Sequence, residues 1–172
     1  MPMDGFHLAQ AELVRLGRRE RMGAPDTFDA AGYVALLRRL RAACEAVVYA
    51  PAFRREIEEP IAGAIAVPAS VPLVVTEGNY LLLPDEPWGE VLPLLDQTWY
   101  VEVDEALRVD RLVARHVRFG KTPAFARAWT LGSDQRNAEV VFASAHRAQH
   151  IVRFDGTGQG LPGGGRWAVD ST

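Results

Sequence analysis

The chain has 172 residues, of which 48% are hydrophobic and 24% charged, so it can bury the core of one ordinary domain. Its formal net charge of −3 does not call for a nucleic-acid or anionic-membrane partner, and we expect neither. Because Cys44 is the only cysteine, no internal disulfide can form, and we expect Cys44 to lie in the core. The sequence shows neither a leader pattern nor an apolar run long enough to cross a bilayer, so we expect a cytoplasmic protein.

The first half of the chain has the pattern of alternating strands and helices. A strand end at Pro2–Phe6 precedes a helix over about His7–Leu16, and Asp29 is well placed to cap a second helix that ends near Ala43. Four apolar segments follow. We expect strands at Ala46–Tyr49 and Val71–Thr76, an extra strand or edge hairpin at Ile61–Val67, and a short helix at Trp88–Leu95.

The second half continues the alternation. Thr98–Val103 predicts a strand, Asp104 caps a helix to about Arg118, another helix is expected over about Asp134–Arg147, and His150–Phe154 predicts a last strand. Continuous apolar strands alternating with helices favour a layered α/β fold with a parallel sheet. We expect residues 1–155 to form one domain and residues 156–172 to form a glycine-rich flexible tail.

Two acidic residues follow predicted strands, each of them directly before a glycine. They are Asp4 in Met-Asp-Gly-Phe-His and Glu77 in Thr-Glu-Gly-Asn-Tyr. Ligands of open α/β sheets bind beyond the carboxyl ends of the strands, where an acid can hold Mg²⁺ through water or take a proton from a substrate hydroxyl. The alternative for each acid is an ordinary turn residue or helix cap.

A stripe of arginines lies on one face of the helix that Asp104 caps. Its members are three or four residues apart, and guanidinium groups suit phosphate oxygens because they donate paired hydrogen bonds. The stripe consists of Arg108, Arg111, Arg115 and Arg118, with His116, Lys121 and Arg127 nearby. The alternative is a solvated helix face.

The only lysine of the chain, Lys121, excludes a Walker A loop within these residues. Gly120-Lys121-Thr122 has the end of that pattern, but Arg115 stands where the first glycine is required. The segment also follows a helix and runs into Pro123, whereas a Walker A loop follows a strand and opens a helix.

Several motifs together resemble the uridine kinase, phosphoribulokinase and bacterial pantothenate kinase group of P-loop kinases. The resemblance covers about Pro2–Phe154 and is nearest to the bacterial branch described as nucleoside/nucleotide kinases or fructose-transport-system kinases. The motifs are Met3-Asp-Gly-Phe-His7, Arg21-Met-Gly-Ala-Pro-Asp-Thr-Phe-Asp29, Thr76-Glu-Gly-Asn-Tyr-Leu-Leu82, the arginine-rich helix and Asp134-Gln-Arg-Asn-Ala138.

The resemblance implies a three-layer P-loop NTPase-like fold, with a mostly parallel sheet, helices on both faces and a lid around residues 105–132. The first strand–P-loop–helix unit of the family is absent from these residues. The resemblance makes Asp4 the base, places Asp4 and Glu77 near Mg²⁺ held through water, and makes Arg111 and Arg115 the clamp on the transferring phosphate. Arg108 and His116 join the two clamp arginines as residues that bind the nucleotide phosphates of ATP.

The resemblance also implies an acceptor pocket, but the histidine that uridine kinases carry there is not apparent. The acceptor therefore stays open among nucleosides, sugars and pantothenate-like molecules. The implied acceptor-binding residues are Phe6, His7, Asp26, Tyr49, Arg54, Asn79 and Tyr80.

The expected activity is transfer of the ATP γ-phosphate to a hydroxyl by the full-length protein. We expect these 172 residues to be an impaired fragment, left by a start codon assigned too late or by truncation, and exposed sheet edges favour a homodimer. Two alternatives stay open: a non-catalytic relative that binds the small molecule without using ATP, and an anion-binding or hydrolytic protein.

Overall fold

The computed structural model describes residues 1–154 and 167–171. The chain divides into two compact units, Met1–Asp96 and Gln97–Thr172, each with its own sheet. The first unit contains helices α1 (Gln10–Arg15) and α2 (Ala30–Ala42) and strands β1 (Val47–Arg54) and β2 (Glu59–Pro68). Short 3₁₀ turns connect these elements at Met3–Phe6, Arg19–Arg21, Pro25–Thr27, Trp88–Glu90 and Leu92–Leu94.

Helix α2 confirms the prediction from its capping residue and apolar stripe. The Asp29 carboxylate accepts a hydrogen bond from the Gly32 amide at 2.8 Å, and Ala43, with φ of 48°, ends the helix in the left-handed region. Cys44 follows this turn and is exposed, so its predicted place in the core is wrong. Helix α2 ends at Ala42, so Cys44 lies outside it, in the exposed connection to β1.

Aromatic rings form much of the core of the first unit. The ring of Trp88 lies 5.7 Å from that of Tyr80, 6.0 Å from Phe28 and 6.1 Å from Tyr33. The Tyr80 hydroxyl donates a hydrogen bond to the Gly23 carbonyl, and the Trp88 indole N–H donates one to the Pro25 carbonyl at 3.3 Å. The core therefore holds the loop over residues 23–25 in place.

Strands β1 and β2 form an antiparallel hairpin with a bulge between Ala50 and Ala52, which confirms the hairpin expected from Ile61–Val67. The strand predicted over Val71–Thr76 is wrong. Only an isolated parallel bridge between Pro2 and Glu77 forms there, and Leu73 and Val75 are 73% and 68% exposed. A strand needs a hydrogen-bonded neighbour along its length, and the described residues provide one only at Val75 and Glu77, through Met1 and Met3.

In the second unit, strand β4 (His150–Phe154) pairs in parallel with β3 (Trp99–Val103) and antiparallel with β5 (Trp167–Ser171). The helices are α3 (Glu105–Arg118), α4 (Pro123–Trp129) and α5 (Gln135–Ala143), and a π-helical turn at Thr130–Asp134 joins the last two. Strand β5 lies within the segment expected as a flexible tail, and residues 155–166 lie outside the described residues.

Among the described residues, no helix is both long enough and apolar enough to cross a membrane.

Candidate active site

The turn at Met3–Phe6 places Asp4 next to the segment that carries Glu77. The Met3 amide donates to the Glu77 carbonyl at 2.8 Å, and the Glu77 amide donates to the Met1 carbonyl at 3.1 Å. Gly78 permits this close approach, and Gly5 lets the same turn pack against β1. A Cβ on Gly78 would lie 2.5 Å from the Met3 Cβ, and one on Gly5 would lie 2.4 Å from the Pro51 carbonyl oxygen.

The two acids influence each other electrostatically. Partial desolvation raises the pKa of Glu77, and the negative charge of Asp4 raises it further, whereas Arg55 acts in the opposite direction. A divalent cation would relieve this repulsion, so the pair fits Mg²⁺ held through water. The described residues contain no group of three or more histidine, cysteine or acidic side chains that could hold a metal. The remaining ligands of such an ion would be water and phosphate oxygens.

The raised pKa of Glu77 gives a testable dependence of stability on pH. Because the native state keeps a proton that the unfolded state releases near 4.5, the free energy of unfolding falls as the pH rises from that value through the raised pKa. We expect Glu77→Gln to flatten this decline in urea unfolding measured across the acidic range. Glu86→Gln, at an exposed position, is the control, and an unchanged slope in Glu77→Gln would contradict the assignment.

Arg55 contacts the site, although the sequence pointed to its neighbour Arg54. The Arg55 guanidinium donates to the Asp4 carboxylate at 3.0 Å, whereas Arg54 is the exposed last residue of β1. Both arginines are plain in the sequence. What the sequence left open is which of the two the end of the strand directs toward Asp4.

We expect Arg55→Ala to raise the pKa of both Glu77 and His7, because the guanidinium charge lowers both. Arg54→Ala removes the same charge one residue away and should leave both pKa values close to those of the wild type. NMR titration of the two side chains measures this difference. Equal shifts in the two variants would show that Arg55 has no special place at the site.

His7 lies between two aromatic rings, 4.0 Å from Phe28 and 4.6 Å from Phe53. Its Nδ1 is 2.7 Å from the Asp4 carbonyl oxygen, and because a carbonyl only accepts, Nδ1 carries the proton and Nε2 is an acceptor. Burial lowers the pKa of His7, which favours this neutral form.

The other predicted acceptor-binding residues have different surroundings. The Phe6 ring packs edge-on against Tyr33 at 5.2 Å and joins the core, and Tyr80 is fully buried. Asp26 forms ion pairs with Arg18 and Arg21. Tyr49, Arg54 and Asn79 are exposed. The structure thus brings Asp4, His7 and Glu77 together, whereas the roles of the remaining residues stay predictions.

In the second unit, helix α3 begins as predicted, since the Asp104 carboxylate accepts from the Leu107 amide at 3.0 Å. Arg108 donates to the Gln135 side chain and lies 3.9 Å from Glu105. Arg111 and Arg115 are exposed on the same helix.

His116, the fourth residue predicted to bind nucleotide phosphates, is 2.7 Å from the Asp134 carboxylate. Protein groups therefore already hold Arg108 and His116, and the predicted roles of all four residues in phosphate binding stay predictions.

Comparison with known proteins identifies the family. No family model matches the sequence. The chain is 35% identical over 159 residues to the ATP-dependent kinase-like protein notR' of Aspergillus versicolor, in an alignment that covers 87% of this chain and 92% of that protein. The chain belongs to the family of ATP-dependent kinase-like proteins. This kinase-like chain is also 34% identical to the protein YggC of Escherichia coli, in an alignment that covers 92% of this chain and 65% of YggC.

Solved structures confirm the fold of this kinase-like protein. A candidate fructose transport system kinase from Silicibacter sp. TM1040 superposes with a TM-score of 0.75 at 36% identity, over 84% of this chain and 69% of that one. The candidate P-loop kinase YFH7 of Saccharomyces cerevisiae, at 22% identity, superposes with a TM-score of 0.76 over 89% of this chain and 56% of that one. The predicted P-loop NTPase-like fold is confirmed.

Proposed function

We propose that this protein transfers the γ-phosphoryl group of ATP to a hydroxyl group of a small molecule. The observation that carries the proposal is the pairing of Asp4 with Glu77 beside neutral His7. An acid in this position can take the hydroxyl proton, and a second acid can share a cation with the phosphates. The relatives named as ATP-dependent kinases support the use of ATP.

In the proposed reaction, the Asp4 carboxylate accepts the proton of the acceptor hydroxyl. The hydroxyl oxygen then forms a bond to the γ-phosphorus, and the bond from that phosphorus to the bridging oxygen breaks, which leaves ADP. Asp4 and Glu77 would hold Mg²⁺ through water, and the ion supplies positive charge to the phosphoryl oxygens when it is bound. Arg111 and Arg115 would offset the remaining negative charge on these oxygens.

His7 is suited to orient the acceptor. Its Nε2 can accept a hydrogen bond from a hydroxyl, and the flanking rings fix the imidazole plane. A polyhydroxylated acceptor such as a nucleoside or a sugar would provide one hydroxyl to His7 and another to Asp4. Tyr49, Arg54 and Asn79 would line the same side, with Phe6, Asp26 and Tyr80 as supporting residues.

The phosphate-binding loop is the part of the machinery that these 172 residues do not contain. Phosphoryl transfer depends on amide and lysine donors around the β- and γ-phosphates. The chain covers 65% of the length of the Escherichia coli relative. We infer that efficient transfer requires such a loop, and that these residues alone transfer phosphate slowly. Whether the protein forms a homodimer can be measured by light scattering.

The second candidate is a relative that binds the small molecule without using ATP, which the absence of a Walker A pattern in these residues favours. Calorimetry on the 172-residue chain separates the two. Binding of a nucleoside or sugar together with Mg·ATP binding by the full-length protein supports the kinase. Acceptor binding with no Mg·ATP binding by either protein supports the non-catalytic relative.

A further inference from the structure

We propose that Lys121 is a phosphate-binding residue whose ammonium group is held in position by His116 and Asp134. The proposal rests on the proposed function, because it adds a cation to the phosphate clamp of α3. Neither the arginine stripe nor the site of Asp4 and Glu77 requires Lys121.

The hydrogen bonds of His116 fix the order of donors and acceptors. Its Nε2 is 2.7 Å from a carboxylate oxygen of Asp134, and its Nδ1 is 3.1 Å from the Lys121 Nζ. An ionised carboxylate only accepts, so Nε2 carries the proton, and Nδ1 is then free to accept from the ammonium. The imidazole thus connects the ammonium group to the carboxylate.

The surroundings of Lys121 restrict its side chain. Its Nζ lies 5.0 Å from the centre of the Trp129 ring, and its amide donates to the His116 carbonyl at 3.0 Å. Gly120, with φ of 94°, makes the turn after α3, and Thr122 caps α4. A side chain already held in this way loses little conformational entropy when it binds a ligand.

The ammonium retains binding capacity after these contacts. An ammonium has three donors, one of which faces His116, and no residue in the described part of the chain accepts from the other two. Arg115 precedes His116 on α3 and is exposed. A compact ammonium with open donors suits a phosphate group as a point charge. The negative charge of Asp134 faces His116 and therefore does not pair directly with Lys121.

The experiment measures binding of tripolyphosphate to the 172-residue chain by calorimetry. We expect Lys121→Ala and His116→Ala each to weaken binding by roughly tenfold, and the double variant to be little weaker than either, because both remove the same contact. Arg127→Ala removes an equal charge from α4 and serves as the matched control, with affinity close to that of the wild type. Lys121→Gln, which removes the charge but keeps more of the side chain, replaces Lys121→Ala if that variant unfolds.

A ¹⁵N NMR spectrum of His116 tests the order of donors and acceptors on which the proposal depends. We expect the tautomer with the proton on Nε2, lost in Asp134→Ala and retained in Arg127→Ala. Glucose 6-phosphate is tested in parallel, because it represents a phosphate on the acceptor, whereas tripolyphosphate represents the phosphates of a nucleotide. The probe whose affinity falls in Lys121→Ala identifies which phosphate Lys121 binds.

Three results would overturn the proposal: a wild-type chain that binds neither probe, a Lys121→Ala variant with unchanged affinity, or fully additive losses in the double variant. Because tripolyphosphate binding requires neither an acceptor nor turnover, these results are independent of the test of Asp4. A failure of phosphoryl transfer with intact, Lys121-dependent binding would refute the proposed function and leave the anion site.

Discussion

Replacing Asp4 with asparagine should lower kcat of the full-length protein by about 100- to 10,000-fold, the range of general base catalysis. Asparagine preserves the size of the side chain but cannot take the hydroxyl proton. His7 forms its hydrogen bond with the backbone carbonyl of residue 4, which the substitution keeps. The position of His7, and with it the KM for the acceptor, should therefore change little. Initial rates of ADP formation at saturating acceptor measure the effect.

The control for this change is Asp85→Asn, which alters an exposed acid in the same unit. Its kcat should stay within about twofold of the wild type, as expected for an acid outside the site. Circular dichroism verifies that both variants are folded. Activity of Asp4→Asn within about tenfold of the wild type would remove Asp4 as the base and favour a role limited to holding the cation.

Replacing Gly5 with alanine should lower the free energy of unfolding by about 1–3 kcal/mol, the usual cost of overpacking a tightly packed site. The added Cβ would lie 2.4 Å from the Pro51 carbonyl oxygen and 3.0 Å from the Ala52 amide nitrogen. Both atoms belong to the backbone of β1, so neither can turn aside as a flexible side chain would. Urea unfolding followed by circular dichroism measures the loss.

Gly132→Ala is the matched control, because nothing lies within 4 Å of a Cβ at that position. Helical alanine is favoured over glycine by up to about 1 kcal/mol, so this variant should be as stable as the wild type or slightly more so. An unchanged free energy of unfolding in Gly5→Ala would mean that the turn carrying Asp4 does not pack closely against β1.

Local sequence signals predicted the elements that depend on local chemistry. Asp29 and Asp104 cap helices α2 and α3 because capping involves residues only three positions apart. The Val71–Thr76 prediction failed because the same apolar run becomes a strand only when a neighbouring strand pairs with it. Strand β5 was missed because the glycine-rich segment before Trp167 gave no sign that the chain returns to the sheet.

The candidate site was predicted to a similar extent. Asp4 and Glu77 were expected to meet because each was placed after a strand of an α/β sheet, whereas an isolated bridge between Pro2 and Glu77 brings the two segments together. The contacts of Arg55 and Lys121 were missed. Each depends on the direction of a long side chain after a turn, which the spacing of residues does not determine.

The central claim is tested most directly by ³¹P NMR of the full-length protein with Mg·ATP and a panel of nucleosides, sugars and pantothenate. The account predicts ADP and one new phosphate-ester signal in equal amounts, dependent on both Mg²⁺ and a single class of acceptor. Free phosphate in place of an ester, or no consumption of ATP with any acceptor, would contradict it.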